Sequence, residues 1–161
     1  MDPVSFAAIT GVVCAGDPVP FNTGLYRMMA DRVAYIEHLL GMVPDMKETH
    51  TIKVDSIRSF YTRERVETAT SGAEIDQVIH AFLVYLLGTT LFADTASSID
   101  LMFLMPLRDL DLVSTFDWGS CALAYLYRSM DELVRGAKRF CGFWQSVLVF
   151  FLYTPLLIFL I

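Results

Sequence analysis

The chain has little charge. Only 19% of its 161 residues are Asp, Glu, Lys or Arg, and 55% are hydrophobic; ordinary soluble domains carry roughly 25% and 45–50%. That imbalance calls for a generous core, or for a surface that meets a membrane or a partner. Basic runs are missing too. Twelve Lys and Arg face eighteen Asp and Glu, and no basic run is longer than Lys138-Arg139. A net charge of −6 repels phosphate and argues against nucleic-acid binding by bulk charge; a basic groove assembled by the fold stays open. Cys14, Cys121 and Cys141 are few, odd in number and far apart. They fit a reduced compartment such as cytosol or nucleus, each thiol serving as a small buried apolar group. The apolar stretch Val4 to Val13 follows Asp2 and no basic residue, so it is not expected to be a secretory signal.

The familiar chemical motifs are equally scarce. His38, His50 and His80 share no ligand spacing with one another or with the cysteines, so no metal is expected. There is no Gly-x-Gly-x-x-Gly, no Gly-Lys-Ser/Thr phosphate loop and no Gly-x-Ser-x-Gly elbow,. Asp94, Asp100, Asp109, Asp111 and Asp117 offer an acidic cluster for a divalent cation, the basis for a weak hydrolase or nuclease reading on Asp94, Asp109 and Asp111. The favoured reading is structural. In Arg108-Asp109-Leu110-Asp111 the carboxylates cap backbone N–H groups and pair with Arg108. Ser120 has no recognisable His and acidic partner. Trp118 therefore anchors a helix start, and Gly119 lets a neighbouring backbone approach closely.

What is present is helical periodicity. At this length one domain is expected. A short helix after Asp2-Pro3 ends at Gly11, and Gly16 to Pro20 forms a turn or extended linker,. Leu25, Met28, Met29, Val33, Ile36, Leu39 and Leu40 recur at helical spacing before Gly41,. Val43 to Thr51 reads as turn-rich, Val54 to Tyr61 as a short helix, and Arg63 to Gly72 as an exposed loop or frayed helix. From Ala73 a strong helix follows, with Ile75, Val78, Ile79, Phe82, Leu83, Leu86 and Leu87 as its buried stripe,. Gly88-Thr89-Thr90 ends it. Asp94 to Asp100 is a polar connection, and Leu101 to Leu104 a strand or helical turn. Asp117 caps a helix from Trp118 to about Val134,. The expected fold is mostly α, a compact single-domain helical array with irregular connections and an apolar C-terminal helix.

Several blocks resemble the plant mobile domain family. They are Phe6-Ala-Ala-Ile-Thr-Gly11, Gly16-Asp-Pro-Val19, Leu39-Leu-Gly41 and Ala81-Phe-Leu-Val-Tyr-Leu-Leu-Gly-Thr-Thr-Leu-Phe-Ala-Asp94. Leu107-Arg-Asp-Leu-Asp111, Trp118-Gly-Ser-Cys-Ala-Leu-Ala-Tyr-Leu-Tyr-Arg128 and Gly142-Phe-Trp144 complete the set. The resemblance covers about Asp2 to Trp144, so residues 1–144 are expected to form the family-like helical domain and 145–161 an apolar tail. It marks Phe82, Tyr85, Gly88, Arg108, Asp109, Asp111, Trp118, Gly119 and Tyr125 as structural motif residues, with no catalytic or cofactor-binding set. It implies a non-enzymatic role in the nucleus, linked to transposable-element silencing, genome stability or meristem development. The implied partners are phosphatase-seven-like or chromatin proteins, and a transposon-derived copy is equally in keeping. The label "aminotransferase-like", also attached to the family, has no chemistry behind it here. Lys47, Lys53 and Lys138 are the only lysines, and none has the setting of a Schiff-base lysine.

The tail departs from the family pattern. No charged residue follows Arg139, and Phe143 to Ile161 approaches the roughly 20 residues that span a bilayer. Lys138 and Arg139 precede it as a cytosolic flank would. Two expectations stand side by side: a final core helix, or a membrane anchor through 143–161 that displays the helical domain to the cytosol.

Overall fold

A computed structural model describes residues 1–21, 32–48, 50–94 and 96–159, apart from the side chains of 48 and 153–159. Leu25, Met28 and Met29, assigned above to an apolar helix face, lie outside the described residues. The chain forms two compact units, Met1–Val19 with Thr115–Ile161 and Pro20–Ser114.

Helix α1 (Pro3–Thr10) belongs to the other unit; in the central unit, Pro20–Ser114, the first helix among the described residues is α2 (Arg32–Leu40). Strands β1 (Met46–Glu48) and β2 (Thr51–Lys53) come next, then α3 (Val54–Ile57), which runs into a 3-10 turn at Arg58–Tyr61. Helices α4 (Arg63–Thr68) and α5 (Gly72–Thr89) follow, then β3 (Ser98–Asp100), a 3-10 turn at Leu101–Leu104 and α6 (Leu110–Val113). The strands form an antiparallel sheet in the order β1-β2-β3. Ile52 lies opposite Ile99, and both are buried. The fold is mostly helical, but this sheet was not expected. Strands of three residues are too short to show period-two alternation, so Val43 to Thr51 and Asp94 to Asp100 read as loops.

Helix α5 is the hub of this unit. It packs against α2, α3 and the Arg58–Tyr61 turn. Its start is a capping box: the Ser71 hydroxyl accepts the Glu74 N–H at 3.2 Å, and the Glu74 carboxylate accepts the N–H of Ser71 at 3.0 Å,. Val78, His80, Ala81, Val84, Leu87 and Gly88 face inward. The stripe expected to be buried is largely the outer one: Ile75, Ile79, Phe82 and Leu86 are exposed. The helix is apolar on both sides, so periodicity marks a helix here without choosing its buried face. In α2, Ile36, Leu39 and Leu40 are buried as expected, whereas Val33 is exposed.

The other unit holds α1 (Pro3–Thr10), α7 (Trp118–Val134) and α8 (Trp144–Phe159). Asp2 caps α1 by accepting the Ser5 N–H at 2.9 Å, and Gly11 closes it with φ 73°,. Asp117 caps α7 by accepting the Ser120 N–H at 2.8 Å. Helix α1 lies against both α7 and α8, burying Phe6, Ala122, Leu123 and Leu126. The stretch after Gly16 pairs with the approach to α7: Asp17 forms a parallel bridge with Phe116, and its carbonyl accepts the Asp117 N–H at 2.7 Å.

Helix α8 has 16 residues, about 24 Å at 1.5 Å per residue, against a hydrocarbon core of about 30 Å. Among the described residues no helix is long and apolar enough to cross a membrane.

The α5 cap gives a pH signature. Donation from the Ser71 backbone N–H first, then from Thr70, holds the Glu74 carboxyl down to about 2 from its ordinary 4.5. A lowered pKa stabilises the folded chain fully above pH 4.5, and that stabilisation is lost as pH falls toward 2. Glu74→Gln keeps a capping side chain without the titration. Its melting temperature, followed by circular dichroism, should fall less between pH 4.5 and 2 than that of the parent. Parallel curves would show that the cap contributes nothing to acid sensitivity.

Candidate functional site

The surface of the central unit carries an anomaly on α5. Ile75, Ile79, Phe82 and Leu86 are 46%, 40%, 46% and 41% exposed. Their spacing of four, three and four residues aligns them along one stripe. Beside it, the half-buried Tyr61 sets its ring edge-on to Phe82, 5.7 Å between centroids, and tilted against Tyr85 at 5.2 Å. Scattered apolar exposure is ordinary, but a continuous stripe is the mark of a contact surface.

Another flank of the same helix borders a polar cleft of ≈ 620 Å³ lined by Tyr35, His38, Asp76, Gln77, His80 and Arg108 among others. His80 is buried on the inner face of α5, and its Nε2 lies 2.7 Å from the carbonyl oxygen of Leu107. A carbonyl oxygen only accepts, so Nε2 is the donor,. Nδ1 is buried and has no hydrogen-bond partner among the described residues, and the same is true of the Tyr35 hydroxyl. Burial raises the Tyr35 pKa, an effect that the Arg108 charge opposes. Ligand spacing gives no hint of His80, because the Leu107 carbonyl that fixes it is 27 residues away.

The sequence-derived motif residues divide between the units. In the central unit, Phe82 lies on the exposed stripe and Tyr85 against Tyr61. Gly88 is buried. A Cβ there would sit 2.7 Å from Val54 Cγ2 and 3.3 Å from Ile99 Cβ. Asp109 caps α6, accepting the Asp111 N–H at 3.1 Å, and Asp111 occupies the first turn. Their expected pairing with Arg108 is not found among the described ion pairs. Asp109 is turned to backbone, and Arg108 lines the cleft. Asp94 and Asp100 also serve local structure, accepting from the Ser98 hydroxyl at 3.0 Å and the Met102 N–H at 2.9 Å.

In the other unit, Trp118 is only half-buried, its ring edge-on to Phe116 at 6.3 Å. Gly119 is buried, and a Cβ there would overlap the Val13 carbonyl and lie 2.9 Å from Cys14 Sγ. Tyr125 is half-buried, with Cδ1 3.3 Å from where a Gly142 Cβ would stand. Burial pushes the Cys121 thiol up to about 11 and raises Cys14 as well, so both stay protonated and poorly nucleophilic near neutral pH. Among the described residues no group of three His, Cys, Asp or Glu is placed to hold a metal ion.

The central unit is thus mostly helical and carries an exposed apolar stripe on α5. The chain belongs to the plant mobile domain family, whose model matches residues 5–151. Its relatives in Arabidopsis thaliana include the protein MAINTENANCE OF MERISTEMS, 27% identical over 146 residues, which are 88% of this chain and 29% of that protein. Protein MAIN-LIKE 2 is 37% identical over 74 residues, covering 45% of this chain and 11% of that protein. A serine/threonine-protein phosphatase 7 long form homolog is 36% identical over 107 residues, covering 64% and 8%. The chain thus spans less than a third of the length of each of these relatives. No solved structure matches it.

The close approach at Gly88 is testable. Gly88→Ala adds a methyl group against a buried β-branched side chain, an overpacking cost of about 1–3 kcal/mol, offset by up to about 1 kcal/mol of helix propensity. The net effect should lower the melting temperature by several degrees. An unchanged or higher value would mean that α5 does not sit against Val54 and Ile99 as described.

Proposed function

We propose that this chain is a non-enzymatic interaction module that works in the nucleus, in pathways of transposable-element silencing, genome stability or meristem development. The observation that carries this reading is kinship over 88% of the chain with a protein named for the maintenance of meristems. The partner class is phosphatase-7-like or chromatin proteins, because a phosphatase 7 long form homolog shares sequence with 64% of this chain. The exposed α5 stripe supplies a contact face of the kind such a role needs,. A role without a reaction centre is in keeping with protonated cysteines and with aspartates engaged in local capping.

The test is a tagged chain expressed in Arabidopsis thaliana, with nuclei isolated before capture. The expected result is recovery in the nuclear fraction together with the phosphatase 7 long form homolog or a chromatin protein. Exclusion from nuclei, or recovery without any such partner, would contradict the proposal.

A further inference from the structure

We infer that the outer face of α5 is a self-association surface, on which a second copy of this chain packs its own α5 antiparallel. The inference rests on the reading of the chain as an interaction module and names the partner of one face.

Three observations single out a second copy as occupant. The first is the symmetry of the stripe. The spacing of Ile75, Ile79, Phe82 and Leu86 reads the same in both directions. An antiparallel two-fold axis sets Ile75 against Leu86 of the second copy and Ile79 against its Phe82, so apolar meets apolar along the whole stripe. The second is charge along one flank. Glu74 and Tyr85 are eleven residues apart, close to three full turns, and lie on the same side of α5. Tyr61 packs against Tyr85. Arg58 precedes Tyr61 by three residues in the same 3-10 turn, where such residues are in line. One flank of the stripe therefore carries an acid at its first end and a base at its last. The antiparallel two-fold brings that flank against itself in reverse, so Glu74 of each copy faces Arg58 of the other, twice.

The third is that both groups are available. The capping bonds of Glu74 all fall on Oε2, leaving Oε1 free of hydrogen bonds among the described residues. Arg58 is exposed and has no ion pair among the described residues. Each copy brings aromatic side chains, Phe82 with Tyr61 behind it, to the middle of the face, where interfaces concentrate their energy.

The stripe is about 17 Å long at 1.5 Å per residue. Four side chains on one helix make a short face beside the roughly 20–30 residues that each partner contributes to a standard interface. A reversible dimer with a dissociation constant of about 10–100 µM is expected.

The experiment is sedimentation velocity on the 161-residue chain from about 5 µM to about 1 mM, a range that brackets such a constant. The parent should pass from monomer to dimer. Phe82→Glu places a carboxylate on a half-exposed position and should weaken the dimer at least about tenfold, with the helical circular dichroism spectrum retained. Arg58→Glu should also weaken it, by setting a second carboxylate against Glu74 of the other copy. Adding Glu74→Gln to that variant should recover most of the loss, a non-additivity that separate surface effects do not produce. A chain that stays monomeric at the highest concentration overturns the inference. So does a dimer that Phe82→Glu leaves intact while Phe151→Glu on α8 dissolves it, or a double variant without recovery. A monomer that still reaches nuclei with a phosphatase-like or chromatin partner removes this inference and leaves the wider reading standing.

Discussion

The central unit depends on one close approach. Gly88 brings α5 near Val54 at the start of α3 and Ile99 in β3. Val54 directly follows β2, and its N–H donates to the Ser97 carbonyl at 2.9 Å. The helix is therefore held where two paired strands and the next helix converge. Small residues help at this point: Ala81, Val84 and Gly88 lie on the inner face beside Val78, His80 and Leu87, and at Gly88 no side chain stands between the helix and Val54 or Ile99.

That choice decides what the outside of α5 looks like. Ile75, Ile79, Phe82 and Leu86 are outside because Ala81, Val84 and Gly88 are inside. The high apolar content of the chain and its scarcity of charge thus reflect two faces of one helix, in addition to a core. The contact face follows from how this unit is packed.

Some of this was legible in the sequence. Helix α7 announces itself by Asp117 and an apolar repeat, and it spans Trp118–Val134 as read. The Gly11 stop and the Val54 to Tyr61 helical stretch were also readable from local chemistry. The orientation of α5 was not, because large apolar residues stand on both of its faces. The sheet was hidden by the brevity of its strands. The pairing of Asp17 with Phe116 joins residues 99 positions apart, which spacing cannot reveal. Gly88 and Gly119 were named as structural positions, yet the atoms that require glycine there, on Val54 and Val13, are distant in sequence. The cleft is a similar case: His80 and Arg108 become neighbours only through the fold.

The central claim is which face of α5 looks outward, and cysteine labelling tests it directly. In a background with Cys14, Cys121 and Cys141 replaced by Ser, Phe82→Cys and Val84→Cys would be exposed to a maleimide at low micromolar protein. The account predicts rapid labelling at position 82 and protection at position 84 until the chain is denatured. Protection at 82 with rapid reaction at 84 would contradict it.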